Sequence, residues 1–349
     1  MRFKFLLLTI PLSIAYCLGQ TDTVKVKFSD GNEAERCYNS GVALFTAKKY
    51  QQAVDSFTKV VNTKPDFEKA WYNRGLAQSE LGKHTEAIDD FSKSVALNGT
   101  ADYSYYSRGK SYLDVKDQQK ALADFSKCTE LNPKHAEAYY EKGVLYFLLK
   151  EYEEAISEYT KAIGIKGDYA YAFNDRAGCY LEMGKSEEAI GDYRKAISWN
   201  ATSAFFHNNL GSAYRKKKDY LIAIEEYNKA IELKKDYYIA FNNRGSAKLG
   251  NNDFDGAMAD FTRAIDLKAD YAFAYNNRSS CYYKKKNYDA AMKECTKAIQ
   301  LNGNYGEAYM NRGICKEMLK DFKGACEDFK KASSLGMEQA KGYNDVCED

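Results

Sequence analysis

Alanine stands at Ala53 and again at every thirty-fourth residue as far as Ala325, nine times without an exception. A period that long belongs to a supersecondary unit rather than to a single helix or strand, so the chain must fold as a stack of like units. On this period, copies begin at Ala34, Glu68, Asp102, Ala136, Ala170, Ala204, Tyr238, Ala272 and Gly306, with nothing inserted between them. Counting each copy from its first residue, alanine is place 20. Place 8 is equally small: Gly41, Gly75, Gly109, Gly143, Ala177, Gly211, Gly245, Ser279 and Gly313. Small side chains at these two places allow two antiparallel helices to approach closely. Aromatic residues at place 4 (Trp71, Tyr105, Tyr139, Phe173) and place 24 (Phe57, Phe91, Tyr159, Phe261) fill the space beside them.

The stretch WYNRGLAQSELGKHTEAIDDFSKSVALN from Trp71 carries all of these features, and it resembles the tetratricopeptide repeat (TPR) family nearly place by place. The resemblance covers about nine tenths of the chain. It implies an all-α fold, a right-handed α-solenoid of nine helix-turn-helix repeats over residues 34–334. A polar lead-in (20–33) precedes it, and a C-terminal capping helix and tail (335–349) close it. Such hairpins bury their apolar faces only by stacking, and the ends need caps. The family's closing proline survives only as Pro65 and Pro133, which leaves the angles between repeats free to vary elsewhere.

Charge repeats as well. Place 7 is basic in seven copies, from Arg74 to Arg312, and place 23 is acidic in eight, from Asp90 to Asp328. The copy with Ser40 at place 7 has Ser56 at place 23, so the two places are expected to face each other as an ion pair between the helices of one repeat. Leu210 opposite Glu226 breaks the rule.

Asparagine is an indifferent helix residue because its amide competes for the local backbone. Yet place 6 holds Asn39, Asn73, Asn209, Asn243, Asn277 and Asn311, and place 5 adds Asn208, Asn242 and Asn276. At 100° per residue these places turn away from the second helix of the same repeat. In TPR superhelices that face lines the concave groove, so the doublets are expected on groove and flank rather than in the core. A primary amide matches the N–H and C=O of any peptide backbone. The ladder resembles the asparagine ladder of the TPR superhelix in O-linked N-acetylglucosamine transferase, although no catalytic domain follows. With Tyr171, Phe205, Ile239 and Phe273 at place 2 as an apolar floor, repeats five to nine are the expected site for an extended peptide of a partner protein. Packing of these asparagines against a neighbouring helix is the competing use. Place 5 contains no lysine, which argues against the carboxylate clamp by which other TPR proteins hold chaperone tails.

The N-terminus MRFKFLLLTIPLSIAYCLGQ has a basic start, an apolar run broken by Pro11, and small residues before Gln20. It reads as a signal peptide over residues 1–19, giving a secreted or periplasmic protein with no membrane span in the mature chain. Lipid anchoring at Cys17 is the alternative. Eight of the nine cysteines lie beyond this segment and would travel to an oxidising compartment, and Cys326 with Cys347 is the expected disulfide, stapling the final helix to the last repeat.

With 51 basic and 49 acidic residues the chain lacks the basic footprint of a nucleic-acid binder. His84, His135 and His207 share no metal-ligand spacing, and no phosphate loop or CxxC is present. No catalytic residue, metal or cofactor is therefore expected. The expected function is a scaffold that binds a protein or peptide partner, the alternatives being an assembly subunit of an envelope complex using its outer surface, or a glycan-binding module.

Overall fold

A computed structural model describes residues 33–344 and Cys347. The expected signal peptide, Cys17 and the polar lead-in up to residue 32 lie outside them. Among the described residues every regular element is helical, nineteen helices in all. Each repeat contributes a first helix of 13 or 14 residues, such as Glu68–Glu80, and a second, such as His84–Leu97. A short helix, Glu338–Asn344, follows the last repeat. The all-α array of tandem helix pairs is the architecture that the period demands.

Two compact units part between Met183 and Gly184. The first holds repeats one to four with the first helix of repeat five (Ala170–Glu182). The second starts with that repeat's other helix (Ser186–Trp199) and continues to the short final helix.

Within a repeat, the turn between the helices is made by one left-handed residue at place 15. Its φ lies between 57° and 79° in all nine repeats, and lysine fills it six times, at Lys48, Lys116, Lys150, Lys218, Lys286 and Lys320. The lysine clusters Arg215–Lys218 and Lys284–Lys286 end at this turn. Between repeats, the amide of place 34 bonds to the carbonyl of place 31 whether or not proline stands between them. The distance is 3.1 Å at Pro65 and Pro133, and also 3.1 Å at Gly99, Gly167 and Lys235. Loss of the proline therefore leaves the hydrogen bond that closes the turn in place.

Inside either unit, the core of a hairpin is the contact between places 8 and 24. A Cβ added at Gly75 would lie 2.8 Å from Phe91 Cε1, and one at Gly211 would lie 2.8 Å from Tyr227 Cε1. Both rings are fully buried. Repeat eight solves the same contact in reverse, with a larger Ser279 at place 8 and a smaller Cys295 at place 24, each buried.

The ion pairs between places 7 and 23 form as the charge pattern predicts. Arg74 grips Asp90 with two hydrogen bonds of 2.8 and 2.7 Å, and Arg108–Asp124, Arg244–Asp260, Arg278–Glu294 and Arg312–Asp328 repeat the geometry. The third guanidinium nitrogen reaches back to place 25 of the preceding repeat, as Arg74 does to Thr58 (3.2 Å) and Arg244 to Asn228 (2.7 Å). The ring at place 4 lies under the cation, as Trp71 does under Arg74 at 4.8 Å. The exception at Leu210 is repaired from another place: His207 Nδ1 lies 2.7 Å from Glu226 Oε2, and Lys229 donates to Oε1 at 2.7 Å.

The C-terminal end is closed covalently. Cys326, in the second helix of repeat nine, is bonded to Cys347, and the Tyr343 ring of the final helix lies 4.3 Å from that of Phe329.

Candidate functional site

The asparagine doublets lie in the second unit, on the first helices of repeats six (Ala204–Lys217), seven (Tyr238–Gly250) and eight (Ala272–Lys284), and Asn311 stands alone on that of repeat nine (Gly306–Met318). The expectation of a groove-and-flank position needs correction. Asn208, Asn209, Asn242, Asn243 and Asn276 are buried, each 6% exposed or less. Asn277 and Asn311 are half-buried.

Their hydrogen bonds explain the burial. Nδ2 of place 6 donates to Oδ1 of place 5 in the preceding repeat: Asn243 to Asn208 at 3.0 Å, Asn277 to Asn242 at 2.9 Å, and Asn311 to Asn276 at 2.9 Å. Within a repeat, Asn242 Nδ2 leans on Asn243 Oδ1 at 3.5 Å, linking the clips into a chain. Asn276 Nδ2 completes it on the Tyr305 hydroxyl at 3.2 Å. A buried amide must have such partners, since an unpaired one costs about 1–3 kcal/mol. A helix in this stack faces not only its own partner but also the first helices before and after it, and places 5 and 6 meet those neighbours.

The first unit makes the same clip with other chemistry. Asn73 donates to the Tyr38 hydroxyl at 2.8 Å, the Tyr72 hydroxyl lies 3.4 Å from Ser107 Oγ, and the Tyr140 hydroxyl donates to Asp175 Oδ2 at 2.7 Å. Every clip joins residues 35 apart. The tyrosines also pack at an angle against the place 24 ring, Tyr38 on Phe57 and Tyr140 on Tyr159 at 5.7 Å each. Asp175 makes the last of these pairs at a cost: burial pushes its carboxyl up to about 6, against the hydrogen bonds from Tyr140 and Asn174 that pull it down.

The expected apolar floor is partly open. Phe205, Ile239 and Phe273 are half-buried in the second unit, and Phe273 meets Tyr271 at 5.5 Å and Tyr305 at 4.9 Å. Tyr171 is half-buried in the first unit. The place 9 serines above the floor are turned inward, Ser212 to the Asn208 carbonyl and Ser246 to the Asn242 carbonyl at 3.0 Å each. Among the amides, Asn277 and Asn311 combine partial exposure with an Oδ1 that no described neighbour engages. The spacing argument on histidine missed a grouping made by the fold, in which His135 comes beside Asp102 and Cys128.

Family models described as tetratricopeptide repeat match residues 34–67, 68–100, 106–174, 170–203, 238–271 and 272–305, and one described as TPR repeat matches 211–252. The chain belongs to the tetratricopeptide repeat family. A search of curated proteins finds no significant match. A TPR protein of Parabacteroides merdae shares its fold with TM-score 0.63 and 20% identity, over 71% of this chain and 99% of that one. Cut9, from the APC/C hetero-tetramer Cut9-Hcn1, does so with TM-score 0.58 and 14% identity over 94% and 79% of the two chains. Yeast Tom70 gives 0.55 and 14% over 90% and 88%. TPR arrays are typically non-enzymatic interaction scaffolds, and no described helix of this one is long and apolar enough to cross a membrane.

Proposed function

We propose that this TPR protein holds an extended segment of a partner protein along the first helices of repeats six to nine. Phe205, Ile239 and Phe273 would take the segment's apolar side chains, and Oδ1 of Asn277 and Asn311 would accept from its backbone amides. The observation that carries the reading is that these two amides keep a vacant acceptor beside a half-open apolar row at the same 34-residue pitch. The buried doublets serve as the frame. Each backbone bond contributes about 0.5–1.5 kcal/mol net, so a micromolar complex needs the apolar row as well.

Replacing the asparagines would break clips along with contacts, so crosslinking gives a cleaner test. A photo-crosslinking residue at Ile239 should capture a partner from an extract of the producing cells, while one at exposed Glu225 on the second helix should not. Capture from Glu225 alone would overturn the reading. It would favour the second one, an assembly role for the outer surface. That alternative is supported by the exposed apolar residues at place 30, Leu97, Ile165, Trp199 and Leu233, each 40% or more accessible. Export is part of the proposal too, supported by the apolar N-terminal run and the Cys326–Cys347 bond. An intact mass beginning at Gln20 in protein from its own host is the test.

A further inference from the structure

We infer that Asp102, Cys128 and His135 form a binding site for a transition-metal dication of the zinc type at the joint between repeats three and four. The three come from separate elements. Asp102 opens the first helix of repeat three (Asp102–Asp114), Cys128 lies in its second helix (Gln118–Leu131), and His135 caps the first helix of repeat four (Ala136–Leu148). One ligand atom from each lies within 4.8 Å of the other two, and among the described residues no second such group comes this close. Thiolate, imidazole and carboxylate are the donors zinc prefers, and three of them leave a fourth position for water.

The donors stand where the later joints carry mostly alanine and tyrosine. Place 27, occupied by Cys128, is alanine in repeats four to nine, and place 34, occupied by His135, is tyrosine in repeats four and six to eight. The donors are also oriented by neighbours, as ligands usually are. Asn132 Nδ2 donates to Asp102 Oδ2 at 2.7 Å, and the Tyr106 ring lies 4.5 Å from the imidazole of His135. The two helices that meet here, Gln118–Leu131 and Ala136–Leu148, lie close to each other along less of their length than those at any other joint inside either unit. A metal bridging them would hold together the joint that packing holds least.

The chemistry balances with one proton. His135 Nδ1 accepts a hydrogen bond from the Ala138 amide, so that nitrogen carries a lone pair rather than a proton. Cys128 is fully buried and, like an ordinary cysteine at neutral pH, enters as a thiol. Binding breaks its S–H bond, forms a sulfur–metal bond and releases the proton to solvent. His135 Nδ1 now accepts the Ala138 amide at 3.2 Å, and coordination through either ring nitrogen gives up that cap.

The competing assignment makes His135 a cap, Cys128 a filler and Asp102 a turn acceptor, and spectroscopy separates the two. Titration of the metal-stripped full chain with Co²⁺ should give a near-ultraviolet sulfur-to-cobalt band that saturates at one equivalent, with one proton released. Zn²⁺ should displace it. Cys128→Ala, which installs the residue of the other joints, and His135→Asn, which keeps a cap but removes the imidazole, should each abolish the band. Each should also weaken binding at least ~100-fold with helicity unchanged. No band at stoichiometric Co²⁺, or a band that survives in Cys128→Ala, would overturn the assignment.

Discussion

Asp175 shows how one side chain can satisfy its neighbours and still weaken the fold. It is 4% exposed, accepts from Tyr140 and Asn174, and stands at place 6, where the second unit uses asparagine. Its folded pKa of about 6 lies above the ordinary 3.8, chiefly through burial, so the folded chain holds this proton more tightly than the unfolded chain does. The cost is therefore absent below the ordinary carboxylate range, grows as pH rises between the two values, and is fully present above about 6. Asp175→Asn keeps an acceptor for Tyr140 and removes the charge. It should raise stability at pH 7.5 by about 1–3 kcal/mol, with the gain shrinking toward pH 4, as read from urea midpoints across that range. An equal gain at all pH values would mean that burial of the charge is not the cause. The sequence revealed that place 6 was polar here, but not that its solvent would be protein.

Helices are joined by arginine at two levels. Arg74 clamps Asp90 of its own repeat and touches Thr58 of the one before, so one residue sets both the angle of a hairpin and its seat on its neighbour. An exposed pair of this kind contributes little, about 0–1 kcal/mol, which is the value the charge pattern alone suggests. The Asp90 carboxylate, however, is only 4% accessible. Burial raises its pKa against the pull of Arg74, and without the guanidinium the charge would be stranded. Arg74→Ala should therefore cost about 3 kcal/mol at pH 7, less in acid as Asp90 takes a proton, and Asp90→Asn in the same chain should restore part of it. Denaturant unfolding of the single and double variants checks this. The pairing was legible because both partners move together with the period. The repair at Leu210 was not, because His207 stands at a place that is aromatic in most other repeats.

Across the molecule, stability in a repeat array is local, since each hairpin leans only on its neighbours. The ends fray first. The Cys326–Cys347 bond closes a loop of sequence separation 21 at the C-terminal end, where the short helix Glu338–Asn344 covers the last apolar face. Cys326→Ser should lower the opening free energy of repeat nine by about 3 kcal/mol, seen as faster amide exchange between Gly306 and Ser334, and leave exchange in the first unit unchanged. If both units loosened together, the array would be unfolding as one body.

What the sequence determined unaided is everything that repeats inside one hairpin: two helices, a tiny residue facing a ring, an arginine facing a carboxylate. Those contacts join residues at a fixed separation of 16 in most copies, so copy after copy reports the same contact and the period exposes it. Tertiary structure decided what happens between hairpins. The angle at which one first helix meets the next brings residues 35 apart into register, buries the asparagine doublets as clips, and gathers Asp102, Cys128 and His135. A helical wheel knows one partner helix, whereas each first helix of the stack has neighbours on several sides, and only their packing angle says which polar residues keep water.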